Sequence, residues 1–196
     1  MNDAAGSLEI GPLRCAWQPW QRGTPAESLV LPWLARQLDG ADPAVALWRD
    51  AHGRPHLGAA HAGFDANWSH SGRFLLMALG RDVRVGVDLE YLRPRPRAMD
   101  LAERFFTPAE SRALSALPPA QGEAAFVRLW CAKEAVLKAH GRGIAFGLER
   151  LEFSCRDGEW SLSACDRALG APADWSLRSF SPLPGYLATL AWRPAA

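Results

Sequence analysis

Long apolar runs are missing from this 196-residue chain: no window is long enough to cross a bilayer, and the opening MNDAAGSLEIG lacks the basic and apolar regions of a secretory signal. A cytoplasmic protein with no membrane segment is therefore expected. An excess of one charge is missing too. With 22 Lys and Arg against 21 Asp and Glu, the net charge of +1 carries none of the basic bias that a nucleic-acid partner selects. Cysteine is sparse, and Cys15, Cys131, Cys155 and Cys165 fall at no zinc-like or redox spacing, so they read as small apolar fillers. What remains is ordinary globular composition, 48% hydrophobic and 22% charged, enough chain for one domain or two small lobes.

Both halves mix helix with sheet. ESLVLPWLARQLDG offers an apolar helical face ending at Gly40, with Pro32 near its start or kinking it. ALWRDAHGRPHLG reads as strand and turn, and FDANWSHSGRFLLMALG as two strands around a Ser-His-Ser-Gly turn. After the strand VRVGVDLEYL comes RPRPR, a proline-spaced basic connector. In FFTPAESRAL, Thr107 caps a helix with Pro108 at its first position and Glu110 three residues after the cap. GEAAFVRLWCAKEAVLKAHGRG forms a second helix closing at Gly141. Then LERLEFSC, EWSLSAC, WSLRSFS and YLATLAWRP alternate like strands of an antiparallel sheet.

The strand RVGVDLEYLRP poses a chemical question. Side chains at i and i+2 of a strand share a face, so Asp88 and Glu90 point together and repel unless a cation, a proton or a basic partner lies between them. A solvated edge strand balanced by Arg84 or Arg93 is the plain alternative. On the second helix Glu134 and Lys138 are four apart and share a face with Trp130, one turn earlier. That pair could be a simple surface pair, but a tryptophan drawn to the core beside it points to a cleft. Were Glu134 to approach Asp88 and Glu90, three carboxylates would form the oxygen-rich set that Mg²⁺ takes alongside a substrate phosphate.

NWSHSG, GVDLE, RFFTPAE and LWCAKEAVLKAHGRG, in this order and separation, resemble the motifs of the 4′-phosphopantetheinyl transferases of the surfactin-synthetase-activating type. That family's pattern is N-x-S-H-S, G-x-D-x-E, F-F-x-x-x-E and W-x-x-K-E-x-x-x-K-x-x-G-x-G, and the similarity runs from about Gly53 to Gly143. The resemblance implies an α/β (α+β) fold of two similar lobes related by a pseudo-twofold axis, each a small, largely antiparallel sheet packed with helices. Residues 1–82 would form the N-terminal lobe and 83–196 the C-terminal lobe, with coenzyme A in the cleft between them. It further implies a monomer that moves the phosphopantetheine arm of coenzyme A to a serine of an acyl, aryl or peptidyl carrier protein, releasing 3′,5′-ADP.

Site roles follow from the same resemblance. Asp88, Glu90 and Glu134 would hold Mg²⁺, with Mn²⁺ an alternative. Ser69 and His70 would lie on the coenzyme phosphates, Lys138 on the pyrophosphate, and Arg54, where the family commonly has lysine, at the nucleotide end. Glu110 and Glu134 compete as the group that takes the serine proton, and Glu110 also reads as the capping-box acid of its helix. Lys133 supports the site or is solvated. Arg93, Arg95 and Arg97, spaced by prolines, would be displayed to an acidic carrier. The departure lies in the N-terminal third, where the family often has an arginine-rich helix and this chain offers Arg22, Arg36 and Arg49. A thin grip on the coenzyme 3′-phosphate is expected, with Arg54 and Arg36 the first candidates to supplement it. Two other readings share the carboxylates: a binding protein that does not turn over, and a Mg²⁺-dependent phosphodiesterase with water as nucleophile.

Overall fold

The structure is a computed structural model that describes residues 5–38, 45–156 and 159–195. Two antiparallel sheets organise it. The first is built from β1 (Gly6–Ile10), β2 (Leu13–Pro19), β5 (Phe64–Ser71) and β6 (Phe74–Arg81), in the order β1-β2-β6-β5. The second is built from β7 (Val83–Tyr91), β10 (Ser176–Phe180) and β11 (Tyr186–Pro194), in the order β10-β11-β7. Two hairpins stand beside them, β3 (Leu47–Arg49) with β4 (Pro55–Leu57), and β8 (Leu151–Arg156) with β9 (Glu159–Cys165).

The helices are α1 (Glu27–Gln37), α2 (Ala98–Phe105), α3 (Pro108–Ser115) and α4 (Pro119–His140). α3 opens on the expected capping box: Thr107 accepts from the Glu110 backbone N–H while the Glu110 carboxylate accepts from the Thr107 backbone N–H. α4 ends at Gly141, whose φ of 99° is the left-handed cap conformation that a side chain would oppose. Pro32 lies inside α1, and the helix end expected at Gly40 falls outside the described residues. Sequence reading left three elements unassigned: β1, β2 and α2. α2 follows the proline-spaced connector with no side-chain cap to mark its start, and packs Ala98, Ala102 and, in part, Met99, Leu101 and Phe105 on the core.

α4 lies directly on the second sheet because Gly86 lets it. A side chain there would strike the Ala135 carbonyl and the Ala139 backbone nitrogen, so glycine sets the closest approach of helix to strand. The Cys131 thiol donates to the Asp88 carbonyl at 3.4 Å from the same helix face. Core residues Leu129, Ala132, Ala135, Val136 and Leu137 are buried beneath or beside this contact. That seating brings the next turn of the helix, Glu134 to Lys138, over the strand that carries Asp88 and Glu90.

The two sheets meet edge to edge at β5 and β7, joined by side chains. Alternate residues of β5 face β7: Asp65 Oδ2 accepts from Val85 N at 2.7 Å, Asn67 Oδ1 from Val87 N at 3.1 Å, and Ser71 Oγ from Tyr91 N at 3.0 Å. An edge strand's outward N–H groups need partners when buried, and these short polar side chains supply them at the strand's own period of two. Ser69 breaks the series. Its hydroxyl donates to Asp88 Oδ1 at 3.0 Å, so the joint opens there into a cleft.

Candidate active site

The cleft, about 580 Å³, lies where β5, β7 and α4 converge. Asp88 and Glu90 reach it from β7, Glu134, Lys138 and Trp130 from α4, and Ser69 and His70 from β5. Arg49, Trp68 and Ile144 close its rim. Six of the eight residues singled out from sequence therefore share one cavity. Glu110 and Arg54 do not line it.

Asp88 is the electrostatic centre. Its Oδ1 accepts from Lys138 Nζ at 2.7 Å and from the Ser69 hydroxyl, which itself accepts from Lys138 at 2.9 Å. Its Oδ2 is buried without a hydrogen-bond partner. Burial works against the Lys138 ammonium, but Asp88, by charge and hydrogen bond, outweighs it and raises the Lys138 pKa. Glu90 forms an ion pair with Arg95. Even so, burial and then the charge of Asp88 push Glu90 up to about 7. Glu134 makes no hydrogen bond among the described residues, and burial followed by the Asp88 charge pushes it up to about 7 as well.

Among the described residues no three His, Cys, Asp or Glu side chains are already gathered as a metal cage. Lys138 on Asp88 and Arg95 on Glu90 explain why: each strand carboxylate is turned toward a cation of the protein's own. The donor set nevertheless fits a hard divalent ion. It is all oxygen, it leaves Asp88 Oδ2 unsatisfied, and its two glutamates are raised by burial and then by the charge of Asp88, both of which a bound dication would offset.

These glutamates also set a pH dependence. Both ionise near 4.5 in the unfolded chain and near 7 in the fold, so between those values the folded state binds more protons. Their contribution to stability is complete below the unfolded pKa and is lost as pH rises through the folded one. With chelator present, the thermal midpoint is expected to fall by several degrees more between about pH 5 and pH 8 in the wild type than in a Glu90→Gln/Glu134→Gln variant. Equal slopes would show that the two carboxylates are not destabilised by the fold.

Four residues sit elsewhere than the sequence implied. Glu110, a candidate for the serine proton, is 1% exposed and fully engaged: its oxygens accept from Thr107 N, from Phe153 N at 2.8 Å and from Lys133 Nζ at 2.8 Å. Lys133 is neither solvated nor in the cleft; it is 0% exposed and also donates to the Leu148 and Leu151 carbonyls. Arg54 is buried in the β5–β7 joint, paired with Asp65 and donating to the Lys138 and Val85 carbonyls. It braces the end of α4 and does not line the cleft. Arg95, expected on display, is instead bound to Glu90, while Arg93 and Arg97 are exposed.

Two contacts beside the cleft have no signal in the sequence, although Arg49 itself is one of the arginines of the N-terminal third. Arg49 lines the cavity, held by an ion pair to Glu27 and lying 5.5 Å over the Trp68 ring. Trp20 stacks face to face on His70, ring centroids 4.0 Å apart. Both contacts join residues 19 or more positions apart, beyond the reach of local periodicity.

A family model described as the 4′-phosphopantetheinyl transferase superfamily matches residues 84–191. The 4′-phosphopantetheinyl transferase HetI of Nostoc sp. is 39% identical over 152 residues, which cover 74% of this chain and 61% of that protein. The 4′-phosphopantetheinyl transferase Sfp of Bacillus subtilis is 30% identical over 156 residues, 76% of this chain and 63% of that one. Against such curated relatives the chain spans about half to three-fifths of their length. A solved Plasmodium yoelii acyl carrier protein synthase with ADP bound aligns with 57% of this chain and 94% of its own, at 15% identity and a TM-score of 0.39, too loose a likeness to carry an argument. The family match begins at the strand bearing Asp88 and Glu90, takes in α4 with Glu134 and Lys138, and covers just over half of the residues: the chain belongs to the 4′-phosphopantetheinyl transferase superfamily.

Proposed function

We propose that this protein transfers the 4′-phosphopantetheine arm of coenzyme A to a serine of an acyl, aryl or peptidyl carrier protein, with 3′,5′-ADP as the other product. The observation that carries this reading is one cleft in which three carboxylates from β7 and α4 face Lys138 and His70. Residues 1–82 and 83–196 form the two lobes on either side. Asp88, Glu90 and Glu134 would hold Mg²⁺, or Mn²⁺, which supplies charge neutralisation and Lewis acidity at the pyrophosphate. Lys138 and His70 contact the phosphates and hold the phosphorus that bears the pantetheine arm in line with the incoming serine. Glu134, whose carboxylate lines the cleft free of hydrogen bonds among the described residues, is better placed than the buried Glu110 to take the serine proton. Arg93 and Arg97, exposed on the connector beside Tyr91 and Leu92, face an acidic carrier.

The test is mass spectrometry of apo-carrier protein incubated with this protein, Mg²⁺ and coenzyme A. Gain of one phosphopantetheine on a serine supports transfer. Phosphopantetheine released into solution would favour the phosphodiesterase, and coenzyme binding without any product would favour a binding protein.

Arg49 takes the place reserved for a nucleotide-end cation. Arg54 is spent inside the fold and Arg36 is on the exposed face of α1, whereas Arg49 lines the cleft. If it meets the coenzyme 3′-phosphate, the wild type should prefer coenzyme A to its 3′-dephospho form by about tenfold, the worth of one charge-assisted hydrogen bond. Arg49→Gln should lose that preference through KM. Discrimination unchanged in Arg49→Gln would remove Arg49 from the nucleotide site.

A further inference from the structure

His70 is an exposed residue near the end of β5, and its imidazole makes no hydrogen bond among the described residues that would fix its plane. What it meets is Trp20. The two rings are parallel to within 13°, with centroids 4.0 Å apart, a close stack. Trp20 is itself locked at two points. Its indole Nε1–H donates to the Thr24 carbonyl at 3.0 Å, and its backbone N–H donates to the Arg73 carbonyl at 2.7 Å, extending the β2–β6 pairing past Pro19 and Phe74. A fixed indole face thus stands behind an imidazole that is otherwise free to turn. Stacking consumes the face of a ring and leaves its edge, where both nitrogens lie, and His70 is among the residues that line the cleft.

From this geometry we infer that Trp20 is the positioning residue for His70: it holds the imidazole plane so that a ring N–H is aimed at a phosphate of the bound substrate. The inference rests on the proposed reading of His70 as a phosphate contact. Trp20 also packs at the margin of the core formed by Val30, Leu34, Leu75 and Met77, so a purely space-filling role is the alternative to separate.

Trp20→Leu retains apolar bulk but removes the flat face; Trp20→Phe retains a face. Coenzyme A affinity by calorimetry is expected to weaken about fivefold in Trp20→Leu and less than twofold in Trp20→Phe, the range of one aromatic pair. The loss should appear in KM more than in kcat. Adding His70→Ala to Trp20→Leu should cost nothing further, since both changes remove one contact. The His70 ring-proton signals, shifted by the indole in wild type and Trp20→Phe, should move to solvent-exposed positions in Trp20→Leu. Unmoved signals in Trp20→Leu, or affinity losses that add in full, would overturn the positioning role. Wild-type affinity in His70→Ala, with the ring-proton shift still sensitive to Trp20→Leu, would instead overturn the phosphate reading of His70 and leave the stack as packing alone.

Discussion

Asp88→Asn is expected to lower phosphopantetheine transfer by about a thousandfold or more while leaving the fold in place, since a Lewis-acid contact is worth several kcal/mol. Asparagine keeps an oxygen where Lys138 and Ser69 donate at 2.7 and 3.0 Å, so the neighbours stay satisfied. What disappears is the charge. Glu90 and Glu134, held up to about 7 in part by that charge, should ionise more readily in the variant, which offsets part of what the Lys138 ammonium loses with its counter-ion. The checks are carrier modification by mass spectrometry, thermal unfolding, and Mn²⁺ binding by electron paramagnetic resonance. Activity within tenfold of wild type, or Mn²⁺ affinity unchanged, would sink the assignment of Asp88 as a metal ligand.

Glu110→Ala and Lys133→Ala are each expected to cost about 3–5 kcal/mol of folding stability, the penalty for leaving one member of a buried ion pair alone. Neither residue has a route to water: they are 1% and 0% exposed. Together they tie the start of α3, the middle of α4 and the first residues of β8 through the Thr107, Leu148, Leu151 and Phe153 backbone. The Lys133 ammonium also lies 5.0 Å from the Phe106 ring and 5.8 Å from that of Phe153, an enclosure that burial alone would make hostile to charge. Against a typical total of about 5–15 kcal/mol, such a loss takes away much of the stability. Urea denaturation should show the midpoint falling sharply in both variants, and Glu110→Gln should fall too because the ammonium loses its counter-ion. A Glu110→Gln protein of wild-type stability that cannot transfer would restore Glu110 as the proton acceptor.

Much of this was visible in short-range patterns. The period of two in VRVGVDLEY places Asp88 and Glu90 on one face, and both line the cleft. The capping-box spacing of Thr107 and Glu110 forms as read, and Gly141 ends α4 as read. These are contacts within one to four residues, governed by backbone geometry that is the same in every protein. The hairpin of β1 and β2 escaped because Pro12 and Pro19 bracket a strand in which apolar Ala16, on the face of Arg14 and Gln18, blurs the alternation.

Long-range partners were another matter. Lys138 was read as Glu134's helical neighbour, yet its ion pair is with Asp88, 50 residues away; Arg95 was read as displayed, yet it holds Glu90. Glu110 carries both a capping signature and a family signature, and sequence spacing cannot say whether its second oxygen meets solvent, metal or the buried Lys133. The sequence by itself determined most of the elements, which faces carry charge and which family the motifs belong to, because periodicity and capping act through neighbouring peptide groups. Only the tertiary structure decided which charge meets which. The seating of α4 on Gly86 and the side-chain joint between β5 and β7 set distances across tens of residues, and the strength and sign of an electrostatic contact depend on those distances and on how far water is excluded from them.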